Sequence, residues 1–252
     1  MRLKIILFSL CIACSSASFS GEQLKVAFGN ALPPWVMPES DNGILIDIIS
    51  DSLKPAGYEI TNVYYPYARR ILSYRQGLVD VVSDINPEVI KREDLKGYFS
   101  DIAYTYTNYA FTLKRKNYQF KEISDLGNYH LLSWQGATAT LGPEYAAMAL
   151  NNPFYSEHHN QALQLKMLFL DRVDVVQLDM QIFRYFRSSL ARSGVINTQL
   201  EVDTFPLFGK NKCGFLFRSI KARDTFNKQL KRLKASGRYD QIYAYYVSIA
   251  NN

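Results

Sequence analysis

Short apolar runs alternate with stretches of helical periodicity along this chain. Residues 24–29 (LKVAFG) read as a first strand. Residues 44–53 repeat apolar side chains at helical spacing until Gly57 stops them. Residues 58–65 form a second strand. Pro66 opens a helix, because its missing N–H costs nothing in a first turn; Ala68, Ile71, Leu72 and Leu78 give its apolar side and Gly77 its end. Residues 79–83 are a third strand. Strands and helices in alternation with short links predict parallel strands in a doubly wound α/β sheet.

Residues 91–97 read as a loop or short turn, and 102–112 as a long extended segment crossing to a second lobe. There the pattern starts again, with strand 129–134, helix 139–150, a helix capped by Asn160, strand 172–176, and a helix from Asp179 to about residue 190. Leu78-Val79-Asp80-Val81-Val82 and Arg172-Val173-Asp174-Val175-Val176 share one pattern, which suggests that the lobes are similar folds. Residues 202–205 form a return crossing, followed by strand 214–217 and helices 224–233 and 239–249. Two crossings between two lobes imply a hinge of two strands, with a cleft at the carboxyl ends of both sheets.

Candidate chemistry gathers at those ends. The third strand is cut by Ser83, Asp84, Asn86 and Pro87, and the cations Lys91 and Arg92 follow. Trp35 comes straight after the first strand in a loop stiffened by Pro33 and Pro34; such a ring is either a ligand platform or a cap on the core. His130, His158 and His159 show no metal spacing with acidic partners, and no serine sits in a nucleophile elbow. These residues predict neither a metal, a cofactor nor a catalytic group.

The N-terminus changes where the molecule is expected to work. A basic start with Arg2 and Lys4, an apolar run 5–13 and a small, polar stretch 14–20 make the pattern of a secretory signal peptide over residues 1–20. Cleavage is expected near Ser18 or Ser20; a lipoprotein variant would start at Cys14. The apolar run is too short to span a bilayer, and no later segment is long enough, so the mature chain is expected in the periplasm and not as an integral membrane protein. Two of the three cysteines leave with the leader, and Cys213 alone makes no internal disulfide. Loss of Arg2 and Lys4 takes the net charge from +6 to about +4. The bases are dispersed, and export argues against a nucleic-acid partner. Eighteen tyrosines and 15 phenylalanines supply enough rings for both a core and a cleft.

Several features in order give the mature chain its resemblance to the solute-binding proteins of bacterial polar amino-acid uptake systems. They are Leu32-Pro33-Pro34-Trp35, Gly77 to Asp80, Phe99-Ser100, Gln135-Gly136-Ala137-Thr138, and Val173-Asp174-Val175 with Asp179. The C-terminal series Phe226, Asn227, Leu230, Leu233, Gly237 and Ile242 completes the set. The resemblance implies a two-lobed periplasmic binding protein fold, each lobe a mostly parallel sheet flanked by helices. It divides the chain into lobe 1 (21–106 and 206–252) and lobe 2 (107–205). It further implies a polar small solute, most often an amino acid, and permease subunits of the inner membrane as partners. Trp35 would pack on the solute, Thr138 with the N–H groups of its helix would hold a carboxylate, and Asp179 would take the ammonium or cap its helix. The clamp arginine of the T-x-x-R segment falls on Asn86-Pro87-Glu88-Val89, where Val89 stands in its place. Arg92 is one substitute. Tyr67 and Arg69, in Pro66-Tyr67-Ala68-Arg69, offer another. Asp84 at the strand end would repel an anion, so a cationic or neutral solute stays open. So do a sensor and a dehydratase-like enzyme using Glu88 or Asp84.

Overall fold

The computed structural model describes residues 21–30, 32–194 and 196–251; the leader expected over residues 1–20 lies outside them. The first half runs β1 (Glu22–Gly29), α1 (Ile44–Leu53), β2 (Tyr58–Tyr65), α2 (Tyr67–Arg75), β3 (Val81–Ile85), α3 (Pro87–Arg92) and the short β4 (Tyr98–Phe99). The long β5 (Tyr104–Leu113) then crosses to the second half. There follow β6 (Leu131–Trp134), α4 (Ala137–Thr140), α5 (Pro143–Asn151), β7 (Tyr155–His158), α6 (Gln161–Phe169), β8 (Val175–Asp179), α7 (Met180–Ser193) and β9 (Val202–Phe205). β10 (Lys210–Phe217) returns the chain, and α8 (Ile220–Ala235) and α9 (Arg238–Asn251) close it.

The strand order is β2-β1-β3-β10-β5-β8-β6-β7, with β4 on β10 and β9 on β5. In the first half β1 lies parallel between β2 and β3, and β10 adds antiparallel to β3. In the second half β6 lies parallel between β7 and β8, and β5 adds antiparallel to β8. Each half thus receives its antiparallel strand from the crossing that enters it. Between the halves, β5 and β10 pair with each other over Thr105, Tyr106 and their neighbours, where Lys210 faces Thr107 and Cys213 faces Tyr104.

The repeated Val-Asp-Val-Val pattern has a common physical job. Asp80 accepts the Lys25 amide of β1 through its carboxylate (2.8 Å) and returns its own amide to the Lys25 carbonyl (2.9 Å). Asp174 does the same with His130, just ahead of β6 (3.1 and 2.9 Å). Each aspartate therefore anchors the middle strand of its sheet to the strand that follows. For this reason β3 and β8 begin one residue after the aspartates, later than the apolar runs suggest.

Both faces of each sheet are covered. One core, with Phe28, Ile48, Trp35, Tyr104, Phe111, Phe183, Phe215 and Phe226, runs without interruption from the first half into the second. Ile71, Tyr74 and Leu216 fill the opposite face of the first sheet, and Leu126, Tyr145 and Met148 that of the second. Two sequence expectations are corrected. The expected loop or short turn over residues 91–97 holds from residue 93 on, but Lys91 and Arg92 end a helix, α3, which forms because Asn86 caps it through Val89 N–H (2.8 Å) and Pro87 takes its first position. The expected helix 139–150 is two helices, because Gly142 and Pro143 end one and start the next. Among the described residues no helix is long and apolar enough to cross a membrane.

Removing either anchor should cost stability without altering the fold. Asp80→Ala and Asp174→Ala are each expected to lower stability by about 1 kcal/mol, seen as a fall in melting temperature of about 2–4 °C. Asp174→Ala should cost more, since Asp174 also accepts the Tyr118 hydroxyl (2.7 Å).

Candidate functional site

The carboxyl ends of the parallel strands carry two polar groups of residues, one in each half. In the first, Gly29 ends β1, and a side chain there would come within 3.2 Å of the Arg70 guanidinium. Its absence lets Arg70 reach from α2 to Asp84 near the end of β3, an ion pair of 2.5 Å with both side chains largely buried. Asp84 has a left-handed backbone (φ 58°), which aims its amide at the Tyr104 oxygen (2.8 Å). The Tyr106 hydroxyl donates to the Asp84 carboxylate as well. Burial first, and then the Asp84 charge, push both tyrosines well above the ordinary phenol range, so they remain donors. Arg70 Nε is buried and has no hydrogen-bond partner among the described residues.

Trp35 and Asp179 join the halves. The Trp35 ring is 1% exposed and packs edge-on against Tyr106 and Tyr243. Gly43 permits this loop to close, since a side chain there (φ 139°) would sit 2.5 Å from the Trp35 carbonyl oxygen. Trp35 Nε1–H donates to Asp179 Oδ1 (2.9 Å), and Thr107 N–H of the crossing strand donates to Oδ2 (2.8 Å). Gln181 and Ile182 amides complete an N-cap on α7. Burial pushes the Asp179 carboxyl up to about 6 against the pull of these four donors.

In the second half, Gly136 takes the left-handed conformation (φ 96°) ahead of α4. The Gly136 amide donates to one Glu157 carboxylate oxygen (2.7 Å). The Thr138 amide (3.0 Å), the Thr138 hydroxyl (2.9 Å) and the Tyr155 hydroxyl (2.8 Å) all donate to the other. One residue on, the Ala139 carbonyl accepts Arg92 Nη1 from α3 of the first half (3.2 Å), and Arg92 Nη2 donates to the Tyr67 hydroxyl (2.7 Å). The two groups of residues therefore lie on either side of the boundary between the halves, and Arg92 bonds across it.

These placements sort the residues singled out from the sequence. Tyr67, Asp84, Arg92 and Thr138 line the facing strand ends. Trp35 is enclosed as a core ring, and Asp179 has both oxygens taken by protein donors, so neither is open to a solute in this conformation. Asn86 caps α3 and donates to the Asn211 side chain (3.0 Å). Arg69 is exposed and lies over the Tyr65 ring; its neighbour Arg70 is the arginine that turns inward. Sequence reasoning passed over Arg70, although Ile71 and Tyr74 mark the inward side of the same helix. It also passed over Glu157, for which no local pattern gives a signal. Among the described residues no cluster of three or more acidic, histidine or cysteine side chains is placed to hold a metal ion. A recess of about 520 Å³ lined by Phe183, Arg184, Arg187 and Thr204 lies on the α7 flank, separate from the two polar groups.

Comparison with known proteins bears on this arrangement. The family model "Bacterial extracellular solute-binding proteins, family 3" matches residues 24–249. No curated protein matches the sequence at a significant level. Among solved structures, the GluR0 ligand-binding core in complex with L-glutamate is similar at 18% identity and a TM-score of 0.71, over 90% of this chain and 99% of that one. An amino-acid ABC transporter substrate-binding protein from Streptococcus pneumoniae bound to L-arginine is similar at 16% identity and 0.67, over 90% and 95%. The ancestral amino-acid-binding protein AncCDT-1, described as a precursor of cyclohexadienyl dehydratase, is similar at 20% identity and 0.65, over 89% and 95%. At these identities the likeness is one of fold: a two-lobed α/β binding architecture.

The raised Asp179 carboxyl gives a signed pH dependence. Between its unfolded value of 3.8 and about 6 the native state holds more protons than the unfolded chain, so stability falls as pH rises through that range. Relative to Asp179→Asn, the wild type should lose on the order of 2–3 kcal/mol between pH 4 and pH 7 in chemical denaturation.

Proposed function

The chain belongs to the bacterial extracellular solute-binding proteins of family 3, and on that premise we propose that it is an exported protein of the periplasm that captures a small polar solute between its lobes. The solute class is an amino acid or a derivative of one, and the bound protein hands it to an ABC-type permease of the inner membrane. Lobe 1 comprises residues 21–106 and 206–252, and lobe 2 residues 107–205.

One observation carries this reading. Arg92 reaches from α3, held by Tyr67 beside it, to the Ala139 carbonyl of the other half, so two polar strand ends meet across the boundary that β5 and β10 cross. A solute seated there would be touched by both lobes at once, and its affinity would come from favouring the closed arrangement. Asp84 and Tyr106 would border it on one side and Thr138 with Glu157 on the other. No catalytic step enters this reading, since Asp84 is committed to Arg70 and two tyrosines.

Thermal unfolding of the mature chain against amino acids, their amides and amines, short peptides and sugars tests it. A solute at one hundred times its Kd stabilises by about 2.7 kcal/mol, a rise of several degrees in melting temperature for a chain of this size. Arg92→Ala should weaken binding of that solute about tenfold or more while leaving the unliganded melting temperature nearly unchanged. A panel without any rise contradicts the reading.

A further inference from the structure

The most informative feature of the cleft is a negative charge that the chain supplies to itself. Glu157 projects from β7 into the amides of Gly136 and Thr138, and it takes the Thr138 and Tyr155 hydroxyls too. Two backbone N–H groups and two hydroxyls converging on one carboxylate are a complete anion site. Although burial acts against the charged form, these four donors outweigh it and hold Glu157 below the usual carboxylate range. Thr138 and the N–H groups of its helix are the donors that the family resemblance would assign to an incoming carboxylate.

Two arginines beside these strand ends also have protein partners. Arg70 is paired with Asp84, and Arg92 is held by Tyr67, Ala139 and Glu93. An entering carboxylate would have to expel a protein oxygen from one of these sites. At the Gly136–Thr138 cradle it would also meet the fixed charge of Glu157. By contrast, acceptor capacity remains. Glu157 Oε2 receives one donor where two lone pairs are present, and the residue is only partly buried.

We infer that Glu157 is a specificity-determining residue that fills the carboxylate cradle of lobe 2, so that the solute is an amine or amide without a free carboxylate. This rests on the solute-binding reading and narrows it.

Matched pairs test the inference by isothermal titration: L-arginine with L-argininamide and agmatine, L-lysine with L-lysinamide and cadaverine, L-glutamine with L-glutaminamide. At least one carboxylate-free member should bind the wild type ten or more times tighter than its parent acid. Glu157→Ala should reduce that gap to threefold or less by opening the cradle, and the isosteric Glu157→Gln, which removes the charge and keeps the bulk, should narrow it as well. Acetate, the smallest organic carboxylate after formate, should shift the Gly136 and Thr138 amide resonances in Glu157→Ala and leave them in place in the wild type. A parent acid that binds the wild type as tightly as its partners, or acetate shifts of equal size in the wild type, overturns the inference. Binding of the parent amino acids alone also overturns it and leaves the solute-binding reading intact; binding of sugars alone, or of nothing, overturns both.

Discussion

Four residue pairs between β5 and β10 join the two halves of the sheet system, and almost every other feature depends on that antiparallel ladder. Tyr104 and Tyr106 lie on it and reach back to Asp84 in the first half. Thr107 lies on it and donates forward to Asp179 in the second. Beyond the ladder β10 adds to the three parallel strands of the first half and β5 to the three parallel strands of the second. The constraint is topological: neither sheet can be finished without the strand that passes through the boundary. A buried core continues beside the crossing on the side of α1, α7, α8 and α9, while the strand ends on the other side remain polar.

That polar side is organised by satisfied charges. Arg70 meets Asp84, Glu157 meets two amides and two hydroxyls, and Asp179 meets Trp35 and three amides. A buried charge without such partners would be prohibitive, so each is evidence of a local fold built to hold it. The arrangement leaves acceptor capacity in the cleft and few uncommitted donors, which is the basis for assigning it a donor-rich solute.

The architecture was legible in the sequence because it is written in local patterns. Period-two and helical spacings gave the strands and helices of both halves, and the shared Val-Asp-Val-Val motif marked corresponding strands; Asp80 and Asp174 make it a structural repeat by bonding the same way. Boundaries were harder where capping chemistry overrides apolar periodicity, as at Asn86 and Gly142. The site was less legible. Thr138, Asp84, Arg92 and Tyr67 announce themselves at strand ends or beside prolines. Glu157 does not, because its importance lies in reaching across a parallel ladder to residues about twenty positions earlier. Arg70 was obscured by Arg69, since adjacent helical residues point some 100° apart and the sequence does not say which faces the sheet. Trp35 was readable as an aromatic in a rigid loop, but only the three-dimensional structure shows its indole N–H on Asp179.

The central claim is that the halves form a cleft that closes on a solute about the β5–β10 ladder. Spin labels at Leu72→Cys on α2 and Leu150→Cys on α5, both exposed positions in opposite halves, with the buried Cys213 unreactive, would report the distance between them by pulsed electron resonance. The account predicts a broad or longer distribution without solute that collapses to one shorter distance when a stabilising solute is added. A single distance that does not change on addition of a solute shown to bind would contradict it.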